Sequence, residues 1–121
     1  MKAVIIRTDD SRELVEFTRE TEYQMLSDAV GGYIERVPLP NLGVDMWVNE
    51  EGKINCLEYN LNATLLWIDS WGDTDWTAGD AVLTGGADEE GYVMGLPDEL
   101  VDALFPDKSE QDAQQPSVQE V

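Results

Sequence analysis

The stretch "DAVGGYIERVPLPNLGVDMWVNEEGK", residues 28–53, indicates the fold because a helix end, two strands and a turn follow one another in it. The double glycine at positions 31 and 32 suits the left-handed backbone that ends a helix. "YIERV" alternates apolar and polar residues, as a strand with one buried face does, "PLPNLG" interrupts it, and "VDMWVN" resumes the pattern. "NEEGK" predicts a tight hairpin leading into a further strand, "INCLEY".

The residues before this stretch predict a hairpin and then the helix. "KAVIIR", residues 2–7, is a short β-branched run typical of a buried strand, and "DDS" separates it from a second strand, "RELVEF", residues 12–17. "TRETEYQMLSDAV" carries apolar residues at spacings of three and four, which is the pattern of an amphipathic helix. Thr21 with Gln24 matches a capping box, and Thr18 is the alternative cap.

The residues after this stretch complete the predicted fold. "NLNATLLWI" predicts a short helix capped by Asn60 or Asn62. "AGDAVLTGG" predicts a strand that begins near Gly79, and "YVMGL" pairs with it across the turn "ADEEG". "PDELVDALF" predicts a last helix that starts at Pro97 and ends at Pro106. We therefore expect an α+β fold, a mostly antiparallel sheet built from hairpins with two or three short helices packed on it.

Length and composition predict a single domain. The chain has 121 residues, 42% of them hydrophobic, which is enough to bury a core over residues 1–106. Residues 107–121 are polar and acidic, and we expect them to form a disordered tail. The apolar runs are too short to span a bilayer, no signal-like start is present, and Cys56 is the single cysteine. These features together predict a cytoplasmic protein.

The charge is strongly negative, with 26 acidic and 7 basic residues and a net charge of −19. Such a chain repels nucleic acid and anionic membranes at long range, so direct binding to either is not expected. It attracts basic protein surfaces, including those of proteins that bind nucleic acid. Solubility or adaptation to high salt is the other explanation of the same acidity, and the more common one.

Motifs for catalysis or metal binding are lacking. The chain has no histidine, the usual base for a serine or cysteine nucleophile, and Cys56 falls in a predicted strand, where a small buried residue is the ordinary interpretation. Asp69, Asp73 and Asp75 share one loop but lack the ligand pattern of a calcium loop. "VGGYIE" and "TGGADEEG" match no phosphate-binding fingerprint. We therefore expect no catalytic, cofactor-binding or metal-binding residues, and a protein that is not an enzyme.

Exposed aromatic and acidic residues are the candidates for partner binding. Trp47 and Trp67 fall on a predicted strand and helix, where we expect core positions. Trp71 and Trp76 flank the polar loop "WGDTDW", where they either cap the core or contact a protein partner. The turns "NEEGK" and "ADEEG" add carboxylates. The candidate partner-binding residues are Trp71, Trp76, Glu50, Glu51, Glu89 and Glu90.

The motifs "MKAVII", "VGGYIE", "NEEGK", "N…AT…W" and "W…GDAVLTGG…DEEG" occur in that order. This order resembles a small domain of unknown function that is common in bacteriophages, especially those of actinobacteria, and in their hosts. The resemblance covers nearly the whole chain, to about residue 105. In that family a Leu-Pro-x-Asn-Arg-like stretch typically follows the hairpin; this chain has "LEYNLNAT", which retains Asn60 with no arginine after it.

The resemblance implies a phage accessory protein that acts in the cytoplasm of the host cell. One route is non-catalytic binding of a host protein through the acidic surface, for host takeover or counter-defence, with mimicry of the charge of DNA as one form of it. The alternative is an oligomeric sponge that sequesters a small signalling nucleotide of host defence, so homo-oligomerisation stays open. A sponge needs arginine or lysine donors for phosphate, of which this chain has few. We therefore expect the first route.

Overall fold

The computed structural model describes residues 1–105. Strands and helices alternate in small groups along this part of the chain. The strands form an antiparallel sheet with the helices packed on it, which confirms the predicted α+β class. The elements are β1 (Lys2–Ile6), β2 (Arg12–Glu16), α1 (Glu22–Val30), β3 (Ile34–Leu39), β4 (Val44–Asn49), α2 (Leu61–Trp71), β5 (Ala81–Gly85) and α3 (Asp98–Leu104).

One antiparallel sheet contains all five strands in the order β2-β1-β5-β4-β3. β1 and β2 form the first hairpin that the sequence predicts, whereas the hairpin of β3 with β4 was not predicted, because "PLPNLG" was expected only to interrupt a strand. β5 is the last strand in the chain and the central one in the sheet, where Leu83 is in register with Val4 on one side and Met46 on the other. All five residues of β5 are buried, so this strand joins the two hairpins through the core.

Both faces of the sheet are covered by helices. Side chains alternate between the two faces of a strand, so Val4 and Ile6 point to one face while Ala3 and Ile5 point to the other. Val4 and Ile6 pack in a cluster with Ala63 of α2 and with residues of α3. Ala3 and Ile5 pack in a second cluster with residues of α1. We call these sides the α2 face and the α1 face.

The end of α1 follows the prediction, but its start does not. Gly31 has a φ of +78° and its N–H donates to Ser27 O at 2.9 Å, which is the left-handed helix end expected for glycine. The predicted capping box is wrong, because the side chain of Thr21 makes no capping hydrogen bond to α1. Its hydroxyl oxygen instead accepts a hydrogen bond from the backbone N–H of Thr18, at 2.8 Å.

Asn60 begins α2 and also connects three parts of the fold. Its Oδ1 accepts a hydrogen bond from Ala63 N–H at 3.0 Å, the capping contact predicted for this residue. Its Nδ2 donates to Ile6 O at the end of β1 and to Gly79 O just before β5, each at 2.9 Å. Asn60 is 1% exposed, so this amide fixes the start of α2 relative to β1 and β5 from inside the core.

The predicted strand "INCLEY" is wrong. Residues 50–56 form consecutive turns, and only Tyr59 makes an isolated bridge, to Ala78. The reason is that β4 already pairs with β3 on one side and β5 on the other, so no open edge remains for a strand that follows the turn. Cys56 is consequently exposed, with a φ of +57°, and not the buried strand residue that the sequence suggested.

Two elements extend beyond the predicted residues, and one predicted hairpin is much reduced. β3 continues through Pro38 to Leu39, which is tolerated because β3 is an edge strand and needs no donor on its outer side. α2 continues to Trp71. The last predicted hairpin is reduced to an isolated bridge between Ala87 and Val93. The expected helix end at Pro106 and the expected tail over residues 107–121 lie outside the described residues. Within residues 1–105, no helix is long and apolar enough to cross a membrane.

Candidate functional site

Two adjoining cavities lie on the α2 face, beside the edge strand β3. Their volumes are about 300 Å³ and about 380 Å³, and they share three lining residues, Glu35, Val37 and Trp67. Val37 and Trp67 pack in or against the core cluster of the α2 face, so the floor of both cavities is the sheet and the underside of α2. We call the two cavities together the tryptophan groove.

Two segments form most of the wall of the first cavity. One is the turn after β4, and the other is the loop after α2. The turn is fixed by Asn49, whose Oδ1 accepts from Glu51 N–H at 2.8 Å and whose Nδ2 donates to Val30 O at 3.1 Å. The two loops approach closely at Gly52, where an added Cβ would lie 2.7 Å from Ala78 O. Glycine at this position therefore allows the backbone contact that closes one end of the cavity.

The mouth of the first cavity holds an ion pair on an aromatic ring. The ammonium group of Lys53 lies 4.8 Å from the centre of the Trp76 ring and forms a salt bridge with Asp75. The same carboxylate accepts a hydrogen bond from the backbone N–H of Trp76 at 2.8 Å. The hydrogen bond from Lys53, and after it that from Trp76, lowers the pKa of Asp75 below its ordinary value of 3.8.

Further apolar side chains belong to this part of the surface. The rings of Tyr59 and Trp76 have their centres 6.0 Å apart at an angle of 40°, a tilted aromatic contact. Ile54, which also lines the first cavity, is 80% exposed. Trp76 and Tyr59 are themselves half exposed, so this wall presents apolar surface to solvent next to charged groups.

The second cavity is built around Trp71. Its ring lies 6.3 Å from that of Trp67, and its Nε1–H donates to Pro38 O at 2.8 Å, while Trp67 Nε1–H donates to Thr74 Oγ1 at 2.9 Å. Both indoles are thus held in fixed orientations. Because Pro38 has no N–H and its carbonyl is occupied by Trp71, this end of β3 is closed to an added strand.

Three of the six candidate partner-binding residues from the sequence lie on the same surface in the structure. Trp71, Trp76 and Glu50 all line the tryptophan groove. Glu51 is exposed in the same turn as Glu50 but does not line either cavity. The aromatic pair flanking "WGDTDW" therefore belongs to one surface, although each tryptophan lies in a different cavity.

Glu89 and Glu90 lie in a different place, at the turn near the start of α1. Arg19 stacks on Tyr92 there, with its guanidinium carbon 3.8 Å from the ring centre, and it pairs with Glu90 at 3.6 Å. Glu22 of α1 accepts a hydrogen bond from Val93 N–H at 3.2 Å, which attaches this segment to the α1 face. The two acidic turns thus belong to opposite sides of the sheet.

Sequence reasoning missed several residues of the groove. Trp67 packs against the core, as predicted, but it also lines both cavities. The sequence places Lys53 at the end of the turn "NEEGK" and among the few basic residues, but it does not predict the pairing of Lys53 with Asp75. The available signal was that Lys53 is the one lysine between positions 2 and 108 of an otherwise acidic chain.

Basic side chains within residues 1–105 all have partners. Arg12 donates to the carbonyl oxygen of Leu104 at 2.5 Å, and each of the other five pairs with at least one carboxylate. These pairs are Lys2 with Asp98, Arg7 with Glu13 and Asp80, Arg19 with Asp88 and Glu90, Arg36 with Asp45, and Lys53 with Asp75. Five of the six basic side chains in this part of the chain are therefore already compensated by a carboxylate, which weakens their attraction for an anionic ligand.

The groove combines the chemical groups that bind a cationic side chain. Glu35, Glu50 and Asp75 place three carboxylates at the first cavity, against the single cation of Lys53. Indole rings attract cations to their faces and cover aliphatic stems. In the part of the chain that the structure describes, no group of three or more histidine, cysteine or acidic side chains is placed to hold a metal ion.

The chain matches a known family over most of its length. A family model described as a domain of unknown function (DUF3846) matches residues 1–108, which is most of the chain. No curated protein and no solved structure matches.

Proposed function

We propose that this chain, which belongs to the DUF3846 family, is a small acidic accessory protein that binds a basic segment of another protein in the tryptophan groove. The observation that carries the proposal is the first cavity, which is lined by the carboxylates of Glu35, Glu50 and Asp75 and by the exposed ring of Trp76. A lysine or arginine side chain matches this cavity, because its apolar stem can pack on the ring and its positively charged end can pair with the carboxylates.

The charge of the whole chain supports the same ligand class. A net charge of −19 raises the rate at which a basic partner approaches, and the effect weakens as salt increases. Long-range attraction does not select a site, however. Selection requires contacts at short range, which Trp76 and Trp71 provide because large aromatic side chains dominate the binding energy of protein interfaces.

The biological setting is part of the proposal and comes from the motif order. We infer a phage-type protein that acts in the host cytoplasm without catalysis, by binding a basic host protein for takeover or counter-defence. A nucleic-acid-binding protein is a suitable target, because its DNA-binding surface carries the basic side chains that the groove would take. The pairing of all basic side chains within residues 1–105 favours this over the alternative, a sponge for a signalling nucleotide.

The test is binding of a fluorescein-labelled peptide of alternating lysine and serine, measured by anisotropy at low and at high salt. Glu50→Gln removes a charge inside the groove, whereas Glu89→Gln removes the same charge at the opposite side of the sheet. We expect Glu50→Gln to weaken binding about fivefold, the effect of roughly 1 kcal/mol, and Glu89→Gln to weaken it less than about twofold. Equal losses in the two variants would mean that only the net charge matters, which would contradict a binding site in the groove.

A further inference from the structure

We propose that the ring of Trp76 and the carboxylate of Asp75 form a subsite for a lysine ammonium group, which Lys53 occupies until a lysine of the partner displaces it. This inference rests on the proposed function and names the side chain that the groove selects. It also assigns Lys53 a role as an internal competitor.

The geometry of the subsite is the first argument. The ammonium group of Lys53 has two contacts, one with the π-face of Trp76 at 4.8 Å and one with the carboxylate of Asp75. Neither contact depends on the backbone of Lys53 itself. A lysine side chain from another molecule would satisfy both groups equally well, because the ring and the carboxylate face a cavity that opens to solvent.

The exposure of the pair is the second argument. The side chains of Lys53 and Asp75 are 44% and 42% exposed. An ion pair with this exposure contributes little to stability, because water screens it and the flexible lysine stem loses entropy when it is held. The turn that carries Lys53 is fixed at Asn49 and Gly52 instead, so it does not need the ion pair to keep its shape. Lys53 can therefore leave the subsite without unfolding the turn.

The cation that already occupies the subsite is an ammonium group, which indicates lysine as the external ligand. One oxygen of Asp75, Oδ1, accepts from both Lys53 Nζ and Trp76 N–H. A point-like ammonium needs only this oxygen, whereas a guanidinium is bound best by two parallel hydrogen bonds. The chain holds its own stacked guanidinium differently, since Arg19 on Tyr92 pairs with two carboxylates, Asp88 and Glu90.

An internal ligand lowers the apparent affinity for an external one. If Lys53 fills the subsite in about nine molecules of ten, the apparent dissociation constant for a partner lysine is about tenfold higher than for an empty subsite. Lys53→Gln empties the subsite and should raise affinity. Lys2→Gln is the matched control, because it removes the same charge from another exposed lysine that pairs with a carboxylate, Asp98.

The experiment uses the full chain and the labelled lysine–serine peptide, with an arginine–serine peptide as the second probe. We expect Lys53→Gln to bind the lysine peptide roughly tenfold tighter than the unaltered chain does, and Lys2→Gln to change affinity less than about twofold. In a Trp76→Ala background, we expect Lys53→Gln to tighten binding by less than about threefold, because the aromatic ring of the subsite is then absent.

The outcomes separate the inference from the function on which it rests. If the unaltered chain binds the peptide in the groove but Lys53→Gln gains no more than Lys2→Gln, the internal-competitor role is overturned and the binding function stands. An equal gain with the arginine peptide would overturn the selection of lysine. If no variant binds either peptide, the proposed function itself fails. A urea unfolding midpoint equal to that of the unaltered chain shows that each variant is folded.

Discussion

The ammonium group of Lys53 lies over the ring of Trp76, 4.8 Å from its centre, and joins the turn after β4 to the loop after α2. The contact lies at the mouth of the tryptophan groove, where Asp75 pairs with the same ammonium. An acidic protein thus places one of its few cations in a cavity whose lining includes three carboxylates and two tryptophan rings. That arrangement links the charge of the chain to one specific surface.

The titration of Asp75 should report the ion pair with Lys53. The pKa of Asp75 lies below 3.8 in the folded protein, so the pair stabilises the fold above that pH and loses its effect as the pH falls through the lowered pKa. Lys53→Gln should therefore raise the pKa of Asp75 and flatten the loss of stability in acid. Carbon-detected NMR of the side-chain carboxyl groups measures the titration directly.

Asp88 provides the internal control for that titration. Backbone N–H groups, that of Tyr92 above all, lower the pKa of Asp88, and Lys53 is not among the causes. The pKa of Asp88 should be the same in both proteins. A pKa of Asp75 that does not respond to Lys53→Gln would contradict the ion pair as described.

Asn60→Asp should destabilise the fold strongly. Aspartate keeps the oxygen that caps α2, but it replaces the amide donor with a second oxygen that faces Ile6 O and Gly79 O inside the core. We expect a loss of about 3 kcal/mol in the free energy of unfolding, because a buried charge is left facing two acceptors. Urea denaturation measures it, with Asn55→Asp in the exposed turn as the control for added charge. Similar losses in both variants would show that the Asn60 donors are unimportant.

Replacing Gly85 by alanine should lower the stability of the fold much more than replacing Gly86 by alanine. A Cβ at Gly85 would lie 2.4 Å from the backbone oxygen of Gly95, which cannot move aside as a side chain would, whereas a Cβ at Gly86 meets no atom within 4 Å. We expect Gly85→Ala to cost about 2–3 kcal/mol of stability and Gly86→Ala to be nearly neutral. Thermal unfolding of the two variants tests this, and equal melting temperatures would contradict the close packing of the segment around Gly95 on β5.

Arg36→Met should leave Asp45 without its cation. Asp45 is 4% exposed, and Arg36 Nε donates to its Oδ2 at 2.8 Å, a hydrogen bond that also raises the pKa of Arg36 above its ordinary value. We expect a loss of roughly 2 kcal/mol in the free energy of unfolding, since a nearly buried carboxylate loses its partner. The double variant Arg36→Met with Asp45→Asn should recover part of that loss. A double variant less stable than Arg36→Met would show that Asp45 has another source of stabilisation.

The parts of the fold that the sequence predicted depend on residues close together in the chain. Gly31 ends α1 and Asn60 begins α2 as expected, because each makes its capping contact within a few residues. The central position of β5 depends on pairing with distant strands, which no local pattern contains. The same distant pairing explains the wrong strand after the turn at residue 50, since β5 takes the edge of β4 that this strand would have needed.

The candidate site shows the same division between local and distant information. Trp71 and Trp76 are both exposed, in agreement with the polar loop between them. That loop is a local feature of the sequence. The cavity that Glu50 and Trp76 both line depends on the contact of two loops at Gly52, and the ion pair of Lys53 with Asp75 joins the same two loops. No spacing rule for helices or strands predicts either one.

The most direct test of a lysine-binding groove is a proton–nitrogen NMR titration of the unaltered protein with the unlabelled lysine–serine peptide. We predict that the indole N–H signal of Trp76 shifts progressively and saturates, because the incoming lysine replaces Lys53 on its ring. The indole signal of Trp47, which donates to Thr84 Oγ1 between β4 and β5 away from the groove, should stay in place. Saturating peptide that leaves the Trp76 signal unmoved, or that moves the Trp47 signal equally, would contradict binding at this site.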